Sequence, residues 1–587
     1  MFEMLDRDAF GRLGVLKTGH GDITTPTVLP VVNPFRETLS PSEILEITGA
    51  PALITNAFLL YSKPESRRRA LEVGVHEFLG VDCPIATDSG GYQIYRGKKV
   101  EVSPQEIHQF QADIGSDLAV VLDVPPRDDM SEDQARACIR ESVARSRDLC
   151  RSMPPGPLWY GVVHLTPYAR LRRQEAQQVS AMPFQVFALG SCVGSLIEYR
   201  FESHLDRAVD TAKRLPPDRP RHVFGVGHPM FLALSVAFGG DLFDSAMYVL
   251  SAQEGRYLTP QGTLSVRDLV ELPCSCPACS HASPQEMAGG DDAVRLLAQH
   301  NLYSTFEELR RVRQAIRDNR LWELAQVRCR SHPKLLGAFC NTLRRHRTFF
   351  EQVDPVTKKS AFFYSGPESK LRPEVTRARR WVRERLPEAP AFQHPVYGRV
   401  PYAASLCYPF GQTEMTSRLE EFLGRKDAQP TDEEIVRAAV DFQFGPGCGS
   451  ALEPFRAVRS PRTGRIRRVQ RGHVLLGTMR ASDFFFLPTL EGARLLGSHL
   501  PYPTMRIAVS DEAAPFVSQG KSVFAKFVHA CDPKLLPGQE VLIVDREDNL
   551  LATGTALMNS REMQCFRVGM AAKVRHHLRT ALREDLP

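Results

Sequence analysis

No apolar run in these 587 residues approaches the ~18 that a membrane-crossing helix needs. The first residues, MFEMLDRDAFGRLG, mix charges and hold no apolar signal core, so secretion is not expected. There is no internal repeat. The charge balance is also weak, +6 overall, which admits an acidic partner without requiring one. Thirteen cysteines are scattered singly, except at one place. In the cytoplasmic chain these absences suggest, single cysteines read as buried apolar residues and a cluster reads as a metal site. Hydrophobic residues make up 43% and charged residues 24%, ordinary values for a globular protein, and the length predicts three to five domains.

The first ~270 residues alternate short apolar runs with amphipathic stretches. PALITNAFLL, CPIATDSGG, LAVVLDVPP, WYGVVHL, FQVFALGS and RHVFGVG read as strands. SRRRALEVGVHEFLG, SPQEIHQFQADIG (opened by an N-cap serine), SEDQARACIRESVARSRDLCRSM and PMFLALSVAFGG read as helices between them. Seven or eight such units predict an α/β fold, a (β/α)8 TIM barrel, rather than an open sheet. In a barrel the polar residues at the C-terminal strand ends meet at one mouth. Those residues are Asp88, Asp123, His164, Gly190, Ser191 and Asp244. One aspartate ending an apolar strand is usually a turn former or helix cap; several converging on one rim point to a site. A helical stretch (306–353) follows, then a Pro-rich segment (384–401) that reads as a boundary or linker. The last ~80 residues read as a small β-rich module.

The exceptional cysteines lie in PCSCPACS. Cys274, Cys276 and Cys279 are followed by His300 on a helical pattern, the donor set of a closed tetrahedral zinc site. A closed site is structural, not catalytic. His281, directly after the cluster, competes as the fourth ligand, but a residue so near would strain the loop, and His300 is preferred.

These residues lie in stretches that resemble the archaeal tRNA-guanine transglycosylases of archaeosine synthesis: PTVLPVVNP, LITNAFLLY, DSGGYQ, LDVPP, FGVGHP, GGDLFDSAMY, PCSCPACS, HNLYSTFEELRRVRQAI, YPFGQTE, QFGPG, PYPTMRIAV and GKSVFAKFV. The resemblance implies a barrel with its zinc-binding insertion (274–300) over residues 1–355. It implies small α+β domains over 356–428 and 429–503, and a PUA RNA-binding domain over 504–583. It further implies exchange of guanine 15 in the tRNA D-loop for 7-cyano-7-deazaguanine, through a covalent aspartyl–ribose intermediate. The nucleophile is then Asp244 and the general acid/base Asp88, although within the resemblance the two roles can be exchanged. Ser89, Tyr92, Asp123, His164, Gly190 and Ser191 fall at base-contacting positions, and Cys274, Cys276, Cys279 and His300 at the zinc.

The chemistry suits these residue types. Breaking an N-glycosidic bond builds positive charge at C1′, which one carboxylate can meet while a second manages the purine proton. Asp123 can accept from the N1–H and 2-amino donors of guanine. Tyr92 can stack on the base or pack in the core, and Ser89-Gly90-Gly91 brings backbone close to a ligand. Two positions depart from the family pattern: His164-Leu165 replaces a Gln-Gly pair, and Gly190-Ser191 replaces Gly-Gly. Reaching a D-loop base requires flipping it out. Phosphate contacts are expected from the basic last third, with Lys521, Lys526, Lys573 and Arg575 as candidates. Relatives form homodimers, which is the expectation here.

Two rivals stand beside this reading. The archaeosine synthase paralogue amidates the inserted base, but its Pro-Cys and Lys-Pro-Tyr motif is missing here. A non-catalytic tRNA-binding protein would have little reason to keep several acids at a pocket floor.

Overall fold

The computed structural model describes residues 2–36, 38–95, 102–414, 421–422 and 428–578. The chain divides into two compact units, Met1–His346 and Arg347–Pro587.

The first unit is a parallel barrel. Its strands are β1 (Thr27–Pro30), β2 (Leu53–Asn56), β3 (Ile85–Asp88), β4 (Leu118–Val120), β5 (Leu158–His164), β6 (Val186–Gly190), β7 (Arg221–Val223) and β8 (Leu242–Ser245). They pair in chain order from β2 to β8, and β8 pairs with β1. A single bridge between Val31 and Ile54 shuts the ring, with Val32 N–H donating to the Ile54 carbonyl at 2.8 Å. The register lines up the strand ends: Asn56 lies beside Asp88, and His164 beside Gly190.

Local sequence explains the covering helices. Pro104–Asp113 begins where Ser103 accepts from Glu106 N–H and Glu106 returns the bond, the capping box expected from SPQE. Glu132–Arg151 is capped in the same way by Ser131 and Gln134. Pro229–Ala237 has no polar residue except Ser235, and all nine of its residues are buried. Such a helix needs cover on both sides, and Ala293–Arg317 and Leu321–Cys329 pack on it. The expected helix of residues 306–353 is four helices, the others being Pro333–Arg345 and Arg347–Val353.

At the end of the barrel opposite the mouth, the antiparallel strands Gly11–Thr18 and Gly21–Thr25 turn at His20. There Asp117 accepts from His20 N–H and Nδ1, both at 3.0 Å, and from His76 Nε2 and Ile85 N–H, both at 2.9 Å. The two imidazoles stack with centroids 3.7 Å apart.

The second unit begins with Arg347–Val353, which packs on Pro373–Arg385 through Arg380 Nε and Glu351 at 2.8 Å. The Pro-rich stretch is not a linker. Its residues end that second helix and form the hairpin Ala391–His394/Gly398–Pro401, with Phe392, Val396, Tyr397 and Val400 buried in the core of this unit. A four-stranded antiparallel sheet spans residues 456–488. A six-stranded sheet spans 506–577.

Candidate active site

The strand ends bring Asp88, Asp123 and Asp244 to one mouth. Each rests on groups supplied by neighbouring strands. Asn56, at the end of β2, donates through Nδ2 to Asp88 Oδ2 at 2.5 Å and to Gln93 Oε1 at 3.3 Å. Burial, followed by repulsion from Asp123 and Asp244, pushes the Asp88 pKa up to about 7, against weaker help from the Gly90 and Ser89 N–H groups. Asp88 thus shares its proton near neutrality.

Asp244 is fixed differently. Its Oδ1 accepts from Gly225 N–H at 3.0 Å and from His222 Nε2 at 3.1 Å, and Tyr160 Oη meets the other nitrogen of His222 at 3.1 Å. His222 and Tyr160 are fully buried, whereas the Asp244 side chain stays 19% exposed to the mouth. Asp244 therefore offers a braced carboxylate to a ligand.

Asp123 lies at the mouth below the turn that follows β3. A Cβ on Gly91 would stand 2.0 Å from Asp123 Oδ1, so only glycine lets that turn cover the carboxylate. The Asp123 Oδ2 atom is met by His164 Nε2 at 2.9 Å. On its other edge His164 meets Glu175, through Nδ1 at 2.6 Å and backbone N–H at 2.9 Å.

The side chains of two expected base contacts are engaged within the protein. His164 is fully buried with both ring nitrogens engaged, so it acts on Asp123 and has no atom left for a ligand. The Ser89 side chain is fully buried and donates to the Val121 carbonyl at 3.0 Å, so its backbone, not its hydroxyl, faces the acid at position 88. The side chain of Tyr92 lies outside the described residues. Gly190 is packed so closely that a Cβ would press Val162 at 3.0 Å and the His164 ring at 3.3 Å. Ser191 follows with a left-handed backbone, φ 59°, and its Oγ is shielded from solvent without a hydrogen-bond partner. That hydroxyl is available to a ligand in the mouth.

Sequence reasoning missed Asn56, Gln93, His222, Gly225 and Glu175. The first and third end or line strands already identified, and the strand-end rule reaches them when it includes Asn and His. Glu175 is a different matter. It sits inside the helix Ala169–Ser180, among charged residues that read as a solvated face.

Beyond the barrel, Cys274, Cys276, Cys279 and His300 converge with their ligand atoms within 4.8 Å of one another. His300 Nδ1 lies 3.3 Å from Cys279 Sγ and 3.7 Å from Cys276 Sγ, while Nε2 is 3.0 Å from the Leu258 carbonyl. That second bond fixes the ring so that Nδ1 faces the thiols. Tyr257 stacks on the ring at 3.5 Å and places its hydroxyl 3.2 Å from Cys279 Sγ. His281 is exposed and lies outside this group. Three thiols and one nitrogen fit a metal ion.

In the six-stranded sheet, Val523–Phe524 pairs with Met570–His577, which brings exposed Lys521, Lys526 and Lys573 to one edge. Arg575 does not join them. Its guanidinium is bonded to Glu540, fully buried, and to Thr555 Oγ1 at 2.9 Å.

Known proteins resemble this chain in sequence. Residues 6–334 match the family described as queuine tRNA-ribosyltransferase. Residues 355–422 match the C1 domain of tRNA-guanine transglycosylase dimerisation, 434–503 the patch-forming domain C2 of tRNA-guanine transglycosylase, and 505–578 the PUA domain. A tRNA-guanine(15) transglycosylase of Pyrococcus abyssi is 42% identical over 577 residues, 98% of this chain and 97% of the relative. That of Thermococcus kodakarensis is 40% identical over 98% of both chains, and that of Methanocaldococcus jannaschii 36% over 98% and 99%. With one family match over more than half of its length and such relatives spanning nearly all of it, the chain belongs to the tRNA-guanine transglycosylase family, alongside tRNA-guanine(15) transglycosylases and with a PUA domain at its C-terminal end.

Proposed function

We propose that this enzyme exchanges guanine 15 of the tRNA D-loop for 7-cyano-7-deazaguanine, through a covalent bond between Asp244 and the ribose. The observation that carries the reading is the contrast between two carboxyl groups at one mouth. Asp244 is braced by Gly225 N–H and His222 and keeps an accessible face. Asp88 holds a proton near neutral pH. A braced anion suits attack on C1′, and a protonated acid suits the departing purine.

The exchange then runs in two balanced halves. An Asp244 oxygen bonds to C1′ as the C1′–N9 bond breaks, and Asp88 delivers its proton to the leaving guanine. The incoming base returns a proton to Asp88, its N9 bonds to C1′, and the Asp244–C1′ bond opens. Asp123, the Ser191 hydroxyl and the backbone around Ser89 and Gly190 grip the base. Asp123 accepts from its N1–H and 2-amino groups.

A zinc ion on Cys274, Cys276, Cys279 and His300 supplies a structural link between the loop and the helix Ala293–Arg317, with no position left open for chemistry. Lys521, Lys526 and Lys573 contact tRNA phosphates, and Arg575 is withdrawn from that set. The modules run 1–355, 356–428, 429–503 and 504–583, and the first of the smaller ones serves a homodimer, a reading supported by its match to a transglycosylase dimerisation domain.

The test is base exchange with labelled guanine and tRNA. Asp244→Asn is expected to abolish incorporation and the covalent tRNA complex while tRNA binding stays within about twofold of wild type. A variant that still accumulates the complex overturns the assignment of Asp244.

A further inference from the structure

His164 is the most unusual feature of this mouth. It is a histidine at a strand end, beside Asp123 of the mouth, yet it offers nothing to a ligand. Both of its nitrogens end on carboxylates, Glu175 on one side and Asp123 on the other, and all three residues are buried. Glu175 binds twice, to the ring at 2.6 Å and to the backbone N–H at 2.9 Å, so the ring cannot swing. Gly190 closes the third side of the ring, where a Cβ would come within 3.3 Å.

We propose that His164 and Glu175 form a buried positioning pair for Asp123, so that the base is read by a carboxylate with one oxygen pinned and one oxygen presented. This deepens, and rests on, the base-exchange function proposed above. Asp123 Oδ2 is pinned by His164 Nε2, while Oδ1 lies beside Gly91, whose missing side chain leaves room at that oxygen, and the side chain keeps 9% of its surface exposed. An unpinned aspartate could rotate and offer the base either oxygen or neither. A pinned one presents one fixed acceptor to the donor edge of a 2-amino-6-oxopurine or its 7-deaza form. His164 is thus a positioning residue, and Glu175 positions it in turn.

Charge favours the same arrangement. Burial alone would discharge the imidazole, but Glu175 and Asp123 outweigh it and raise its pKa to about 10. Both nitrogens therefore donate. Beyond the pair, Asp123 and Asp244 both act on Asp88 across the mouth. On the outer side Arg145, Arg207 and Arg172 bond the carbonyls of Leu122, Leu165 and Thr166. Without Glu175 the imidazole keeps Asp123 as its one anionic partner, so its proton is held less tightly.

The test compares the full-length wild type, Glu175→Gln and His164→Gln in base exchange. KM for guanine and KM for tRNA are measured from about pH 6.5 to about pH 8.5, a window centred above the ordinary histidine range. Asp88 titrates in this window in all three proteins, so the reading is the ratio of each variant to wild type. For Glu175→Gln the guanine KM ratio is expected to climb about tenfold across the window as His164 loses its proton, with the tRNA KM ratio flat. For His164→Gln, an uncharged donor, the guanine KM is expected to be raised by a pH-independent factor of about ten. A Glu175→Gln profile that superimposes on wild type overturns the proposal, as does a tRNA KM that moves in step. A second readout needs no activity. Nitrogen-15 NMR should report His164 as imidazolium at pH 8 in wild type and as neutral in Glu175→Gln; a neutral ring in wild type also overturns the proposal. A wild type that exchanges no base but keeps the imidazolium defeats the enzymatic reading and leaves the pair intact.

Discussion

Three aspartates at one rim would repel one another, and the structure resolves the conflict residue by residue. Asp123 is met by the His164 cation, Asp244 takes a backbone N–H and His222, and Asp88 takes up a proton. The order of causes at Asp88 is burial first, then its two acidic neighbours, so removing one neighbour lowers its pKa only in part. Because its pKa is raised to about 7, the acid form dominates below that pH and disappears above it. Single-turnover release of guanine is therefore expected to slow as pH rises through about 7. Asp88→Asn should lose about two orders of magnitude in rate and the inflection with it. A variant that keeps an inflection at the same pH would assign the titration to another group.

At the scale of elements, the cluster of Cys274, Cys276, Cys279 and His300 joins a segment with only short helices to a 25-residue helix. A metal held by these four residues would anchor the segment to the helix. Chelation, or Cys279→Ser, is expected to lower the thermal midpoint by at least ~5 °C, and kcat per folded molecule should be unchanged because the site is closed. Calorimetry with metal analysis checks the first, and a direct loss of kcat in folded protein would contradict the second. Much of this level was legible in the sequence. Apolar runs ending in Asp88, Asp123 and Asp244 mark strand ends, and SPQE marks a helix start. Glu175 was not legible, because its burial depends on which face of Ala169–Ser180 meets β5, a tertiary fact that local charge conceals. For the same reason His164 reads as a base contact until its two partners are known. The stretch 384–401 misleads in the other direction. Its prolines suggest a linker, yet Phe392, Tyr397 and Val400 supply core that proline does not forbid at hairpin ends.

Considered as a whole molecule, the chain carries its barrel mouth in the first unit and exposed Lys521, Lys526 and Lys573 in the second. Removing Lys521, Lys526 and Lys573 together is expected to weaken tRNA binding and to reduce the slope of log affinity against log salt by about 3, with KM for the base unchanged. Filter binding over a salt series checks this, and an unaltered slope would move the phosphate contacts elsewhere. Arg575→Ala should behave differently, destabilising the domain by about 1–3 kcal/mol because the buried Glu540 is left with only the Thr555 hydroxyl and the more distant Arg480. The barrel ring itself is unevenly stitched. Seven of its eight junctions are continuous ladders of paired strands, but β1 and β2 meet at one bridge. Asn56, which grips Asp88, is the last residue of β2. The hoop thus has its thinnest seam next to its acid, and any loosening there would reach the proton donor through Asn56 before it reached the rest of the rim.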